Sequence, residues 1–81
     1  HVSDTLGWIY YKKNVPKTAI GYLKEASEKD PKQPMIRYHL GMAYYKDGAF
    51  NLAKAELNQA LKLDPNFPNA QEAKTTLASI K

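Results

Sequence analysis

Residues Tyr38-His39-Leu40-Gly41-Met42-Ala43-Tyr44-Tyr45-Lys46 restate Leu6-Gly7-Trp8-Ile9-Tyr10-Tyr11-Lys12 at a distance of 34 positions. The same offset joins Leu6 to Leu40, Tyr10 to Tyr44, Ala19 to Ala53, Leu23 to Leu57, Ala26 to Ala60 and Pro31 to Pro65. A period of this length, kept at apolar, small and Pro positions alike, is that of a supersecondary unit that buries its faces against its neighbours.

Within each unit the pattern is helical. Ser3 is placed to cap a first helix and Asp4 suits its positive end; Leu6, Ile9 and Tyr10 mark one face, Trp8 and Tyr11 another, and the helix stops near Asn14. Gly inside a helix costs about 1 kcal/mol relative to Ala, so the recurrence of Gly7 as Gly41 calls for a close neighbour. Ala19 and Ala26, repeated as Ala53 and Ala60, offer the matching small surface. Pro16 leads into a second helix carrying Ala19, Ile20, Leu23 and Ala26, which ends before Asp30-Pro31. Pro34 opens a third helix through Lys46, and Asp47-Gly48 turns the chain. A fourth helix from about Asn51 to Leu63 is expected to bury Leu52, Ala53, Leu57, Ala60 and Leu61. After Pro68, Ala70, Ala73, Leu77 and Ile80 form one narrow stripe. That last segment has two readings, a cap on the second unit or a third unit cut short, with Thr75 where Gly7 and Gly41 stood.

At 81 residues the chain is one domain without Cys, stabilised by packing alone. No apolar run approaches the roughly 20 residues of a membrane span. The expectation is a soluble piece of a longer protein, cytoplasmic or associated with the cell envelope. A net charge of +4 favours acidic partners, although Lys13, Lys17, Lys24, Lys29, Lys32, Lys54 and Lys62 fall where a solvated helix face would put them. Chemistry has few candidates. His1 and His39 are the two histidines, and the helical neighbours of His39 are Met35, Ile36, Met42 and Ala43, none of them a carboxylate or a second ligand. The chain is therefore expected to have no catalytic residue, no metal and no cofactor.

The aromatic residues are unevenly spread: Trp8, Tyr11, Tyr38, Met42 and Tyr45 recur at three- and four-residue spacing on the two first helices. They form either a recognition surface or internal packing. Tyr10 and Tyr44, on the other side with Leu6 and Leu40, belong to packing.

The 34-residue period with Leu-Gly and Tyr on a first helix, spaced Ala on a second and a closing Pro resembles the tetratricopeptide repeat family, in wording of a bacterial or archaeal type similar to repeat proteins near export and cell-surface assembly systems. The resemblance implies an all-α, right-handed α-solenoid of two helix-turn-helix repeats, 1–33 and 34–67, with a capping helix over 68–81. Its structural positions would be Leu6, Gly7, Tyr10, Ala19, Ala26 and Pro31, then Leu40, Gly41, Tyr44, Ala53, Ala60 and Pro65. It also implies a non-catalytic scaffold that holds a protein or peptide in a concave groove. The groove positions are His1, Asp4, Trp8, Tyr11 and Lys12, then Met35, Tyr38, Met42, Tyr45 and Lys46, then Asn69, Glu72 and Thr76. Of these, Trp8, Tyr11, Lys12, Tyr38, Met42, Tyr45 and Lys46 are the candidate peptide-binding residues. Members that clamp a chaperone's C-terminal carboxylate need basic and amide side chains where this chain has Asp4, Trp8, His39, Asn69 and Ala73, so that specificity is not expected. The bulky residue usual at the fourth repeat position is replaced by Ser3 and Arg37. A second reading is self-association or assembly within a longer array, through Val2, Leu6 and Ile9. A third is nucleic-acid binding, because Tyr10-Tyr11-Lys12-Lys13 and Tyr44-Tyr45-Lys46 interleave stacking and basic groups.

Ala53→Phe is expected to destabilise the fold by about 1 to 3 kcal/mol through overpacking. Lys54→Ala should leave it within about 0.5 kcal/mol of native, and urea denaturation of the two variants separates these outcomes.

Overall fold

A computed structural model describes residues 2–80. Five helices follow one another: α1 (Val2–Lys12), α2 (Pro16–Lys29), α3 (Pro34–Lys46), α4 (Phe50–Leu63) and α5 (Ala70–Ser79). No strand occurs among the described residues, and the architecture is a helical-repeat solenoid. α1 packs on α2 and α3 on α4 as two hairpins, α2 against α3 joins them, and α5 leans on α4.

Both hairpin turns are made the same way. Asn14 has φ of 66° and Gly48 has φ of 83°, one period apart. Around them Asn14 N–H donates to Tyr11 O and Val15 N–H to Tyr10 O; Gly48 N–H donates to Tyr45 O and Ala49 N–H to Tyr44 O. This paired pattern satisfies the last carbonyls of α1 and α3 through one left-handed residue. Pro16 and Pro34 then sit in the first turn of α2 and α3, where a missing N–H is harmless.

The core lies where the first and second helices meet and under α5. Ala19, Leu23, Leu40 and Ala43 form one buried cluster, and Tyr38, Leu57, Ala60, Phe67, Ala70 and Ala73 the other. The glycines explain how the hairpins close. A Cβ on Gly7 would lie 2.5 Å from Leu23 Cγ and 3.2 Å from Ala19 O; on Gly41 it would lie 2.8 Å from Leu57 Cγ. The small residue facing each glycine was expected to be Ala, but the close partner is a leucine whose branch point fills the missing side chain. Ala19 contributes its carbonyl.

Two further expectations are corrected. Ser3 does not cap α1: it is buried within the helix, where its hydroxyl donates to Glu25 Oε1 at 2.8 Å. Leu52 is 52% exposed, because the buried stripe of α4 runs through Ala53, Leu57 and Ala60 and Leu52 lies about 100° to one side of Ala53. Phe67, which the sequence did not single out, is 3% exposed and packs on Tyr38 with ring centroids 5.7 Å apart. The fourth repeat position also has a role: Arg37 donates to Glu56 Oε1 at 2.9 Å and to Pro31 O at 3.2 Å. Ser3 and Arg37, one period apart, thus tie the first helix of each hairpin to a glutamate on its second.

Gly21, in mid-α2, has open space where a Cβ would go. Gly21→Ala is therefore expected to stabilise the chain by about 0.5 to 1 kcal/mol. Gly7→Ala and Gly41→Ala should cost about 1 to 2 kcal/mol despite the same gain in helix propensity. Thermal and urea melts of the three variants should give opposite signs.

Candidate peptide-binding surface

The first helices present Trp8, Tyr11 and Lys12 on α1, and Tyr38, Met42, Tyr45 and Lys46 on α3. Positions 8 and 11, and 38, 42 and 45, share a face because three- and four-residue steps return to one side of a helix. At the α1/α3 seam the side chains form a continuous stack. Trp8 lies parallel to Tyr11 at 4.4 Å and against the His39 imidazole at 4.1 Å. Lys46 Nζ sits 4.0 Å over the Tyr11 ring and donates to Tyr11 O at 3.1 Å, while Lys12 Nζ lies 5.9 Å from the Trp8 ring. These are cation–π distances.

The α3/α5 seam is looser. Thr76 Oγ1 reaches Met42 Sδ at 3.6 Å, and the hydroxyls of Tyr45 and Ser79 are 3.1 Å apart. Phe50, half exposed, tilts against Tyr45 at 5.5 Å. Tyr45, Phe50, Ser79 and Ile80 line an open depression of about 280 Å³.

Of the residues expected on this surface, Trp8, Tyr11, Lys12 and Lys46 are joined in one cluster, and Met42 and Tyr45 border the second seam. Tyr38 is different. At 5% exposure it lies in the core with Leu57 and Phe67, so it supports the surface from beneath. Asn69, Glu72 and Thr76 stand on or beside α5, whereas His1 lies outside the described residues. Trp8 and Tyr11 use much of their faces on internal partners while remaining half-buried.

His39 was read as lacking a carboxylate among its helical neighbours. Its partner comes from the other helix: Nδ1 lies 2.6 Å from Asp4 Oδ1, with the side chains only 10% and 18% exposed. The signal was an offset of 35 residues, one period plus one, which sets the two positions side by side on adjacent first helices. Phe50, Ser79 and Ile80 were missed because the depression gathers a helix start and a helix end, which no periodicity marks. Among the described residues no three His, Cys, Asp or Glu side chains are grouped to hold a metal.

A tetratricopeptide repeat family model matches residues 11–77. The chain belongs to the tetratricopeptide repeat family. It is similar to cellulose synthase operon protein C of Pseudomonas fluorescens, 33% identical over 63 residues, which cover 78% of this chain and 5% of that protein. It is also similar to the general transcriptional corepressor ssn6 of Schizosaccharomyces pombe, 39% identical over 44 residues, which cover 54% of this chain and 4% of that protein. The chain thus spans a small fraction of the length of these relatives. The family indicates a protein-interaction module, and no helix among the described residues is long and apolar enough to cross a membrane.

Burial raises the phenol pKa of Tyr11 and of Tyr44, with Glu56 adding to the effect at Tyr44. At Tyr38 burial is the largest cause, Glu72 and Tyr11 push the same way, and a hydrogen bond with Asn69 opposes them. A raised folded-state value keeps the proton on the native phenol, so the stabilisation is complete below the unfolded value of about 10 and is lost as pH rises through the folded value. Urea midpoints should fall through this alkaline window, and Tyr38→Phe should flatten the fall. An unchanged alkaline profile in that variant would remove Tyr38 as a source.

Proposed function

We propose that this module is a non-catalytic scaffold that holds an extended or helical segment of a partner protein across the α1, α3 and α5 surface. The observation that carries the reading is the contiguous strip of half-buried Trp8 and Tyr11 with exposed Lys12 and Lys46, continued by half-buried Met42 and Tyr45. Aromatic side chains give large contact area at low entropic cost and keep a polar atom for the ligand. The anchor of the segment is an apolar side chain at the α3/α5 seam, where Tyr45, Phe50 and Ile80 border open space, rather than at the α1/α3 seam, where the rings already stack on one another. Lys12 and Lys46, in the last turns of α1 and α3, draw acidic groups of the ligand and set its direction more than its affinity. The relatives are named for two different processes, a cellulose synthase operon and transcriptional corepression, which supports a shared holding role over a shared chemistry. Capping of the second repeat by α5, with repeats over 1–33 and 34–67, is part of the same reading.

A second reading, self-association, has its own observation. Val2 is 75% and Ile9 44% exposed, whereas their counterparts one period on, Ile36 and Ala43, are 4% and 0% exposed. The face that α3 buries is open on α1. Sedimentation that stays monomeric from micromolar to millimolar concentration would remove this second reading.

A random peptide library selected on the immobilised native module, beside a Tyr45→Ala/Lys46→Ala variant with the same melting curve, tests the first reading. Expected are peptides pairing an apolar anchor with acidic residues, bound at roughly micromolar Kd and at least about tenfold more weakly by the variant. Equal enrichment on both would move the binding surface elsewhere.

A further inference from the structure

We propose that the edge at which both hairpins turn docks on an anionic lipid surface, with Val15 and Leu52 entering the headgroup layer and lysines set around them. The turn between α1 and α2 and the turn between α3 and α4 lie side by side. Lys17 Nζ beside the first is 3.3 Å from Asp47 Oδ1 in the second, and Lys46 donates back to Tyr11 O at 3.1 Å. From Lys12 to Lys17 and from Lys46 to Leu52 the chain carries four exposed lysines and one aspartate. The opposite edge, made by residues 29–33 and 63–69, carries two of each. Most of the net charge of +4 is therefore gathered at the turns.

Exposed apolar side chains gather there too. Val15 is 42% and Leu52 52% exposed, and Phe50 is half exposed beside the depression described above. At the opposite edge Phe67 turns inward instead. A following repeat would not cover the two aliphatic tips: Val15 is exposed with the second hairpin beside it, and Thr18, one period before Leu52, is exposed with α3 packed on α2. Lysines alone suit any polyanion, so the aliphatic pair decides between ligands. Stacking on a nucleic-acid base needs an open ring face. Near this edge Trp8 already lies against Tyr11 and His39, Tyr11 against Trp8 and Lys46, and Tyr10 against Tyr22. Valine and leucine gain only by leaving water, which the interfacial layer of a membrane allows while lysine heads stay level with its phosphates. A lipid layer also closes around separate side chains without the shaped counterpart that a folded acidic protein would need. Docking of this kind is peripheral and needs no membrane-crossing helix.

The test is co-sedimentation with vesicles of phosphatidylcholine alone or with about 30% phosphatidylserine. Binding is expected to the anionic vesicles only, weakening at least about tenfold as salt rises from about 50 to about 300 mM. A lysine near an anionic leaflet contributes about fivefold, so Lys13→Gln/Lys17→Gln should bind about twentyfold more weakly. Lys32→Gln/Lys62→Gln, the same charge change at the opposite edge, should bind as the native chain does. Val15→Ser/Leu52→Ser, which leaves the charge unaltered, should lose about tenfold. In the native chain, a lipid-borne spin label should broaden the methyl NMR signals of Val15 and Leu52 and spare Val2, which is 75% exposed at the far end of α1. The proposal is overturned by absent binding to anionic vesicles, by equal binding to neutral ones, or by equal loss in the two lysine pairs. It is overturned too by full binding after Val15→Ser/Leu52→Ser, by broadening of Val2 in place of Val15, or by tighter binding to single-stranded nucleic acid or polyglutamate than to the vesicles. The spin-label measurement uses the unaltered chain, so poor folding of a variant does not shield the proposal. Val15 and Leu52 stand outside the α1, α3 and α5 surface, so failure of peptide selection leaves these readouts untouched.

Discussion

The fold depends on how closely two helices can approach at Gly7 and Gly41. Each hairpin closes by seating a leucine of the second helix, Leu23 or Leu57, where the first helix has no side chain. Both leucines are fully buried, so the contact is the centre of the packing. The helix-propensity loss at glycine, about 1 kcal/mol each, is offset by dispersion and apolar burial that a wider separation would forfeit. Everything on the first-helix surface follows, because the angle of α1 and α3 to their partners decides which residues face outward.

On that surface the two seams are built differently. α1 and α3 are linked by rings, an imidazole–carboxylate contact and a lysine over a phenol ring, whereas α3 and α5 meet through the apolar cluster of Tyr38, Ala70 and Ala73 and, nearer the surface, through neutral hydroxyl and thioether contacts. A stack uses up aromatic surface in holding the array together; weak polar contacts leave it available. Rigidity and adaptability are thus distributed along the module, with the stiff junction beside the adaptable one. The proposed groove would thus run from a stiff edge to a more open depression.

Most of the architecture was legible in the sequence because the repeat compares the chain with itself. Helix order, both turns, Pro16 and Pro34 and the buried Ala stripes all follow from a period read twice. What could not be read sits where the two copies differ. Ser3 and Arg37 share a position but bond through unlike chemistry, and Phe67 stands where the first copy has Gln33, so no repeat marked it as core. Leu52 was misplaced for the complementary reason: an apolar residue next to a buried stripe is not on it. Of the surface, Trp8, Tyr11 and Tyr45 were placed on one face of the first helices by spacing, whereas the burial of Tyr38, the stacking of the rings and the Asp4–His39 contact required the helices to be placed in space.

The ties at Ser3 and Arg37 give the two hairpins different responses to the medium. The first is closed by a hydroxyl donating to a carboxylate, the second by a guanidinium that grips both a glutamate and the carbonyl of Pro31 in the linker between hairpins. Mobile ions weaken the second tie more than the first, since attraction between full charges is what they screen. The module therefore has a polarity with respect to electrolyte. Salt bears on the end of α3 that meets the linker, away from the depression beside Tyr45 at the other end of that helix.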